Sequence, residues 1–324
     1  MRFKHIVYLL ICLITSPIFA ERASHWLQQP QVQNYITQQV KTGTFNRHDL
    51  SLMLSQAIIQ PQVIQKINTP YEAQPWSHYR KHFITPSHLK VGRSFMKAHA
   101  KTLNLATQRY GVPQSIITAI LGMESYYGQY QSPFKALDAL TTLAFYYPQR
   151  ADFFKKELTA YLTLVQRHHW SPRYAGSSYA GALGMPQFMP SNYLKYAISK
   201  QRHHTPDLFH RTDDAILSIA YYLQQAGWQR DGMIVVPATL SKNSSLRART
   251  HWPMKIKPHA LKTYGIQPQS EAHFNSASLR LWRLKGQPAH TLWVSSDNLS
   301  VLMRYNRSPL YAICAAMLAQ ALHL

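Results

Sequence analysis

Residues 113–128 read PQSIITAILGMESYYG. Ile117, Ile120 and Leu121 recur at the three- and four-residue spacing of one buried helical face, with Pro113 placed to open the helix and Gly128 to stop it. Glu124 falls on that same stripe, in a chain with 13 acidic side chains against 35 Lys and Arg. A carboxyl among apolar neighbours loses hydration, which disfavours its charged form and suits it to donate a proton near neutral pH. The competing reading is a partly exposed Glu at a helix end, or a structural hydrogen-bond partner.

Working outward, the flanking segments are also helical. From Trp26 to Leu105 the pattern is mostly helical, with Asp49 or Ser51 as N-cap before Leu50, Leu52, Met53 and Leu54, and breaks at Pro61, Pro70, Pro75 and Pro86. A second helical block runs from Pro113 to about Arg167. Thr212 is expected to cap a helix with Asp213 and Asp214 in its first turn, Ile216, Leu217, Ile219, Ala220 and Leu223 on its apolar face, and Gly227 at its end. Ser308 and Pro309 open a last helix, Tyr311 to Leu322, where Cys314 reads as a small buried hydrophobe. Ser278–Leu284 and His290–Arg304, joined through Gly286-Gln287-Pro288, read as a small hairpin or sheet, and Ser241–Gly265 as basic loop. The expected fold class is mainly α, in the α+β sense, with a minor C-terminal β element.

The N-terminus carries Arg2 and Lys4, nine apolar residues from Ile6 to Ile14, then Thr15-Ser16-Pro17 and Ala20. That is the pattern of a secretory signal peptide, 1–20, whose cleavage leaves a chain beginning at Glu21. The apolar run is shorter than the roughly 20 residues a membrane span needs, so no permanent membrane anchor is expected. Cys12 lacks the small residue a lipidation signal places before it, since Ile11 stands there. Removal of the signal leaves Cys314 as the one thiol and excludes an intrachain disulfide. The formal charge of +22 favours association with anionic envelope polymers, and it says nothing about chemistry.

Between the helices, residues 177–193 (SSYAGALGMPQFMPSNY) place Gly181, Gly184, Pro186 and Pro190 around Gln187 and Phe188. An amide beside an aromatic suits a sugar, whose ring face packs on the aromatic while the amide pairs with hydroxyl or acetamido groups. A tight structural turn is the alternative. Twenty Tyr and 7 Trp are compatible with a polysaccharide groove. The histidine pairs His168-His169 and His203-His204 have no His-x-x-x-His spacing or Cys partner, so no transition metal is expected. There is neither a Gly-rich phosphate loop nor a Ser nucleophile elbow.

Six blocks together carry a resemblance: YRKHFITP (79–86), YGVPQSIITAILGMESYYGQ (110–129), TTLAFYYPQRADFF (141–154), SYAGALGMPQFMPSNY (178–193), YLQQAGW (222–228) and RYNRSPLY (304–311). In this order they resemble the membrane-bound lytic murein transglycosylase B family over nearly the whole chain after the leader. The resemblance implies a lysozyme-like helical core with additional helices: a helical part over 21–109, the core over 110–240, loop and β element over 241–304, and the final helix over 308–322. It implies cleavage of the MurNAc–GlcNAc β-1,4 bond of peptidoglycan in the periplasm, without a cofactor. One Glu, here matched by Glu124, serves as acid and then as base while the sugar's own 6-hydroxyl closes a 1,6-anhydro ring. Tyr79, Ser178, Gln187, Phe188, Tyr222, Tyr305, Asn306 and Tyr311 match residues that line the glycan groove, and Arg150 one of two arginines facing carboxylates. The other arginine is Gln149 here, and Phe153 replaces a tyrosine. Some members hold calcium between the Phe188 loop and the Tyr222 helix. The matching stretch, Lys200–Arg211, is basic with Asp207 alone, so no metal is expected.

An intramolecular hydroxyl also fits the shortage of acids. Two-carboxylate glycosidases need a partner about 5–9.5 Å from the acid, whereas Asp138 and Asp152, the nearest in sequence, stand in no motif that recommends them. The alternatives are a hydrolytic muramidase, a non-catalytic murein-binding protein and, on charge alone, a secreted nucleic-acid binder; no nucleic-acid partner is expected.

Overall fold

The computed structural model describes residues 25–69, 74–130, 133–201, 203–269 and 278–323. The expected signal peptide and the break at Pro70 lie outside them. The chain runs through helices α1 (Pro30–Lys41), α2 (Arg47–Ser55), α3 (Pro61–Ile67), α4 (Trp76–Phe83), α5 (Pro86–Ala98), α6 (Ala100–Tyr110) and α7 (Gln114–Ser125). After strand β1 (Phe134–Lys135) come α8 (Ala136–Tyr146) and α9 (Ala151–His168), then strand β2 (Gly176–Ser177), α10 (Pro190–Tyr196) and α11 (Thr212–Gln225). The proline breaks act as helix starts: Pro61, Pro86, Pro190 and Pro309 occupy first-turn positions, where a missing N–H costs nothing.

Two of the expected caps move. Asn46, not Asp49 or Ser51, caps α2, its side chain accepting the Asp49 amide at 2.8 Å. Thr212 is the first helical residue of α11 and Arg211 takes the cap position without a side-chain bond. Asp213 and Asp214 do fill that first turn, and the predicted apolar face is buried.

The helix α7 is apolar on nearly every side. Residues 115–122 are all buried, so it is a central helix rather than one with a single buried stripe, and it approaches the surface again at Met123 and Glu124. Along it lies the final helix, α14, while α5 and α6 also pack against it. Its end is unusual. Tyr126, Tyr127 and Gly128 all have left-handed backbone, with φ of 48°, 60° and 85°. The stop is therefore set three residues before Gly128, and two tyrosines carry the strain.

The tyrosine at 127 is held by its ring. A Cβ added at Gly122 of α7 would meet its ring carbon at 2.7 Å, and one at Gly92 of α5 would meet its hydroxyl at 2.6 Å. Its hydroxyl donates to the His88 carbonyl at 2.9 Å. Two glycines on facing helices thus make the slot in which this ring fixes the end of α7.

The β element is larger than the sequence indicates. Strands β3 (Val235–Leu240), β4 (Met254–Ile256), β5 (Ile266–Pro268), β6 (Leu279–Trp282) and β7 (Thr291–Ser295) form an antiparallel sheet in the order β4-β6-β7-β3-β5. The short helix α12 (Ala260–Thr263) precedes β5. The expected hairpin between 278–284 and 290 onward exists, pairing Leu281 with Val294. Its second strand ends at Ser295, however, and Asp297–Tyr305 is helix α13, capped by Ser296. The stretch 241–265 contains β4 and α12 and is not loop throughout. Leu279, Leu281, Leu292 and Val294 build a core of the sheet's own, distinct from the helical core. The last helix, α14, spans Pro309–His323 and buries Cys314, whose thiol is pushed up to about 12 by burial. Among the described residues no helix is long and apolar enough to cross a membrane.

Candidate active site

Glu124 sits in the last turn of α7, half-buried where the helix approaches the surface. Its Oε1 accepts a hydrogen bond of 2.7 Å from the hydroxyl of Tyr311, a buried residue in the first turn of α14. Burial and then the charge of Glu124 push the hydroxyls of Tyr311 and Tyr305 well above the ordinary tyrosine value. Both phenols therefore stay protonated and act as donors.

The aromatic residues form one connected group. Tyr305 lies parallel to Tyr311 with centroids 6.4 Å apart, 5.1 Å from Tyr222 and 5.7 Å from Phe188, and Phe188 lies 5.5 Å from Tyr222. Tyr79, buried in α4, is near enough to contribute to the shift of Tyr311. The structure thus brings together Glu124, Tyr79, Phe188, Tyr222, Tyr305 and Tyr311 from five separate stretches of chain. Two of the hydroxyls hold the frame: Tyr305 donates to the Pro186 carbonyl and Tyr222 to the Arg304 carbonyl at 2.6 Å. Burial pushes the Tyr222 hydroxyl up to about 12. Both hydroxyls are thus spent within the protein; Tyr222 is buried and Tyr305 half-buried.

The 178–190 loop is a folded scaffold. Ser178 Oγ accepts the amides of Ala180 and Ala182, and Leu183 and Phe188 bridge each other through paired backbone bonds of 2.8 and 3.1 Å. Gly181 and Gly184 are left-handed, and added Cβ atoms would strike Leu140 at 2.3 Å and the Leu208 carbonyl at 2.5 Å. Both glycines are thus required by close approach as well as by φ. Gln187 is itself left-handed at φ 51°, and its side-chain Nε2 donates to the Gly184 carbonyl at 2.8 Å. Its Oε1 has no hydrogen-bond partner among the described residues, which leaves an acceptor beside Phe188. Asn306 accepts the Ser308 amide and so shapes the entry to α14.

Arg150 does not join this group. It ends the 3-10 turn Pro148–Arg150, is exposed, and stacks its guanidinium over Phe153 at 4.3 Å and Phe154 at 5.2 Å. No hydrogen bond or ion pair ties it to the tyrosine cluster.

The carboxylates nearest Glu124 in sequence, and the other buried ones, are committed elsewhere. Asp138, buried in α8, accepts the Ile58 amide on one oxygen and pairs with Arg173 at 2.9 Å on the other. Asp152 is exposed beside Lys155. Glu157 caps α10 through the amide and hydroxyl of Ser191, and Asp214 accepts the amides of Lys200 and Asp207. None of these is aimed at the aromatic cluster. Sequence reasoning passed over Gly92, Gly122 and Tyr127, which set the end of α7 beside Glu124; an isolated glycine inside an apolar helix is the available signal for such a contact.

The sequence pattern of the transglycosylase SLT domain matches residues 27–320. The chain belongs to that family. It is 32% identical to the membrane-bound lytic murein transglycosylase B of Escherichia coli (strain K12) over 305 residues, which cover 91% of this chain and 83% of that protein. The lytic transglycosylase Slt35 of Escherichia coli, solved in complex with bulgecin A and with calcium, is 33% identical, with a TM-score of 0.82 over 91% of this chain and 93% of that one. The soluble lytic transglycosylase SltB1 of Pseudomonas aeruginosa is 32% identical, with a TM-score of 0.81 over 90% of this chain and 98% of that one. Fold and family together make this chain an enzyme, a peptidoglycan lytic transglycosylase with a lysozyme-like helical core.

A calcium site between the Phe188 loop and α11, of the kind the resemblance associates with some members, does not fit the residues present. Asp207 spends its oxygens on the Phe209 and His210 amides and on His210 Nδ1. Asp213 is taken by Lys200 Nζ at 2.7 Å and by Thr102. Among the described residues no three His, Cys, Asp or Glu gather in one place, and a hard cation wants several free oxygens.

Proposed function

We propose that Glu124 is the single catalytic carboxyl of this transglycosylase. The observation that carries the assignment is the Tyr311–Glu124 hydrogen bond of 2.7 Å inside the aromatic cluster; the buried carboxylates Asp138, Glu157 and Asp214 are bound to other groups. Glu124 gives its proton to the glycosidic oxygen leaving C1 of the muramyl sugar. The sugar's own 6-hydroxyl then attacks C1 and returns its proton to the same carboxylate, so no water is consumed and no second acid is required. An intramolecular hydroxyl supplies the effective concentration that a second carboxylate would otherwise have to provide with water. Tyr311 holds Oε1 and so fixes the orientation of the carboxyl that carries the proton.

The glycan strand lies, in this proposal, against half-buried Tyr305, with buried Tyr79, Phe188, Tyr222 and Tyr311 packed behind it as the floor of the groove, Gln187 Oε1 as a hydrogen-bond acceptor, and Ser178 and Asn306 shaping the walls. Arg150 stands at the margin. Export to the periplasm by cleavage after Ala20, without a permanent anchor, and retention on anionic envelope polymers by the +22 charge complete the proposal. The mass of the mature protein tests the export step, since a chain that keeps residues 1–20 contradicts it.

The decisive experiment is product analysis on purified sacculi with wild type and Glu124→Gln side by side. Anhydromuramyl ends, one water lighter than hydrolysed ends, and an inactive variant that still binds murein are the expected outcome. Ends that have gained water would make the enzyme a hydrolytic muramidase, and an active Glu124→Gln would end the assignment of the acid.

A further inference from the structure

Apart from strand β4, the stretch 241–265 folds over one face of the five-stranded sheet. Leu246 and Leu261 turn inward to join Leu281 and Val294 in the sheet's own core, with half-buried Trp252 and Tyr264 packed against it. Trp282 and Trp293, next along the same strands and so on the opposite face, pack into the helical core instead. The covering layer therefore looks away from the helical body. It holds no acidic residue, and over the whole of 232–296 the sequence has Glu271 alone, outside the described residues. Lys242, Arg249, Lys257 and Lys262 are exposed on this layer and Arg247 is half-buried. None of them joins an ion pair among the described residues. Its guanidinium groups are also crowded: Arg249 and Arg283 lie 5.7 and 4.9 Å from the Trp252 ring. Arg283 donates to the carbonyls of Leu246, Arg247, Arg249 and Ala289, not to a carboxylate. Burial and then the charge of Arg247 hold its guanidinium below the ordinary arginine value. Like charges gathered without a counter-charge repel one another and burden the free protein, and an anionic surface relieves that repulsion.

We propose that this layer is a docking surface for an anionic phospholipid membrane, whose phosphates meet Lys242, Arg249, Lys257 and Lys262 while Trp252 sits at the depth of the headgroups. An indole ringed by lysine and arginine is the side-chain set of a membrane–water interface, where the ring takes the boundary and the cations take the phosphates. Arginine adds a planar fork that matches phosphate oxygens. No helix among the described residues crosses a membrane, so attachment of this kind acts from the surface and is reversible. The helical body that carries Glu124 packs on the other face of the sheet. The choice of lipid rests on the export proposed above, which the mass of the mature protein tests separately, and it is independent of which residue supplies the proton.

The test is cosedimentation of the mature chain with vesicles of phosphatidylglycerol mixed with phosphatidylcholine, and with vesicles of phosphatidylcholine alone. Binding to the anionic vesicles only, lost at high salt, is expected. Combined Lys242→Gln, Lys257→Gln and Lys262→Gln should weaken it on the order of a hundredfold, at about fivefold per charge. Combined Lys66→Gln, Lys101→Gln and Lys156→Gln, which removes the same charge from exposed positions on α3, α6 and α9, should bind nearly as wild type does. Lys→Arg at the sheet positions keeps the charge and should keep the binding. Equal weakening by the two Gln sets overturns the proposal, because net charge alone then governs, and so does equal binding to neutral vesicles or a loss of binding with Lys→Arg. Tighter binding to purified sacculi or to duplex DNA than to anionic vesicles overturns it as well, and gives the layer to a wall polymer or a nucleic acid.

Discussion

Gly122→Ala replaces a hydrogen in the middle of α7 with a methyl group that has no room. The added carbon would lie 2.7–2.8 Å from two ring carbons and the hydroxyl oxygen of Tyr127, closer than such contacts ever come. The ring cannot retreat freely, because its hydroxyl is bonded to His88 and abuts Gly92, and Phe95 lies 5.7 Å away. Alanine gains about 1 kcal/mol in helix propensity. Against this stand about 1–3 kcal/mol for overpacking and about 1 kcal/mol for a strained or lost Tyr127–His88 hydrogen bond. The net expectation is a loss of about 1–3 kcal/mol, seen as a fall in Tm of a few degrees, since each kcal/mol moves a large domain by about 2–4 °C. Activity should fall further than stability. Tyr127 follows Glu124 by three positions, and a shift of about 1 Å in a catalytic group costs on the order of a hundredfold. Calorimetry and turnover on purified murein at 25 °C, where the variant stays folded, separate the two effects. A variant as stable as wild type, or stabilised by its better helix former, with full kcat would refute the inference that the slot positions Glu124.

Tyr311→Phe should leave the fold intact and lower kcat about tenfold or more, the range of a hydrogen bond to a charged group; undiminished turnover would remove Tyr311 from the mechanism. Lys200→Met bears on Asp213, whose carboxyl burial tends to raise but which Lys200 and Thr102 hold below its ordinary value of 3.8. A lowered carboxyl contributes stability above its unfolded value and loses it as pH falls through its folded value. The Tm gap between wild type and Lys200→Met should therefore be full at neutral pH and narrow below about pH 4; a gap independent of pH would contradict the pairing. Millimolar calcium should leave Tm unchanged, because a ligand stabilises only what it binds, and a rise of several degrees would reveal a site that the carboxylates of 200–214 do not form.

Much of the helical part was legible because its signals are local. Pro113, Pro190 and Pro309 mark helix starts, Ile117, Ile120 and Leu121 mark a buried turn, and Asp213-Asp214 mark the N-terminus of α11. The sheet was not, for reasons that are equally physical. Strands β4 and β5 have three residues each, too few to show alternation, and β3 carries Pro237, which argues against a paired strand. The structure places Pro237 just outside the segment that pairs with β5, where its carbonyl accepts the Gln269 amide and its missing N–H leaves that ladder undisturbed. The apolar run through His290–Arg304 read as one strand because both β7 and α13 are rich in Leu and Val, and the switch at Ser296 turns on a capping hydroxyl. In the site itself, Glu124, Phe188 and Gln187 stand out by pattern, whereas the contact of Tyr311 with Glu124 spans 187 positions and no periodicity encodes it. Left-handed tyrosines at 126 and 127 are likewise invisible, since they are imposed by the glycine slot and not by their own preference.

Tyr311 reaches Glu124 across 187 positions, from the first turn of α14 to the last turn of α7. A chain severed between those two helices would lose the phenol that holds the carboxyl together with the cover over one apolar flank of α7. Where Glu124 is the proton donor proposed above, turnover and cohesion of the helical core would then fail together.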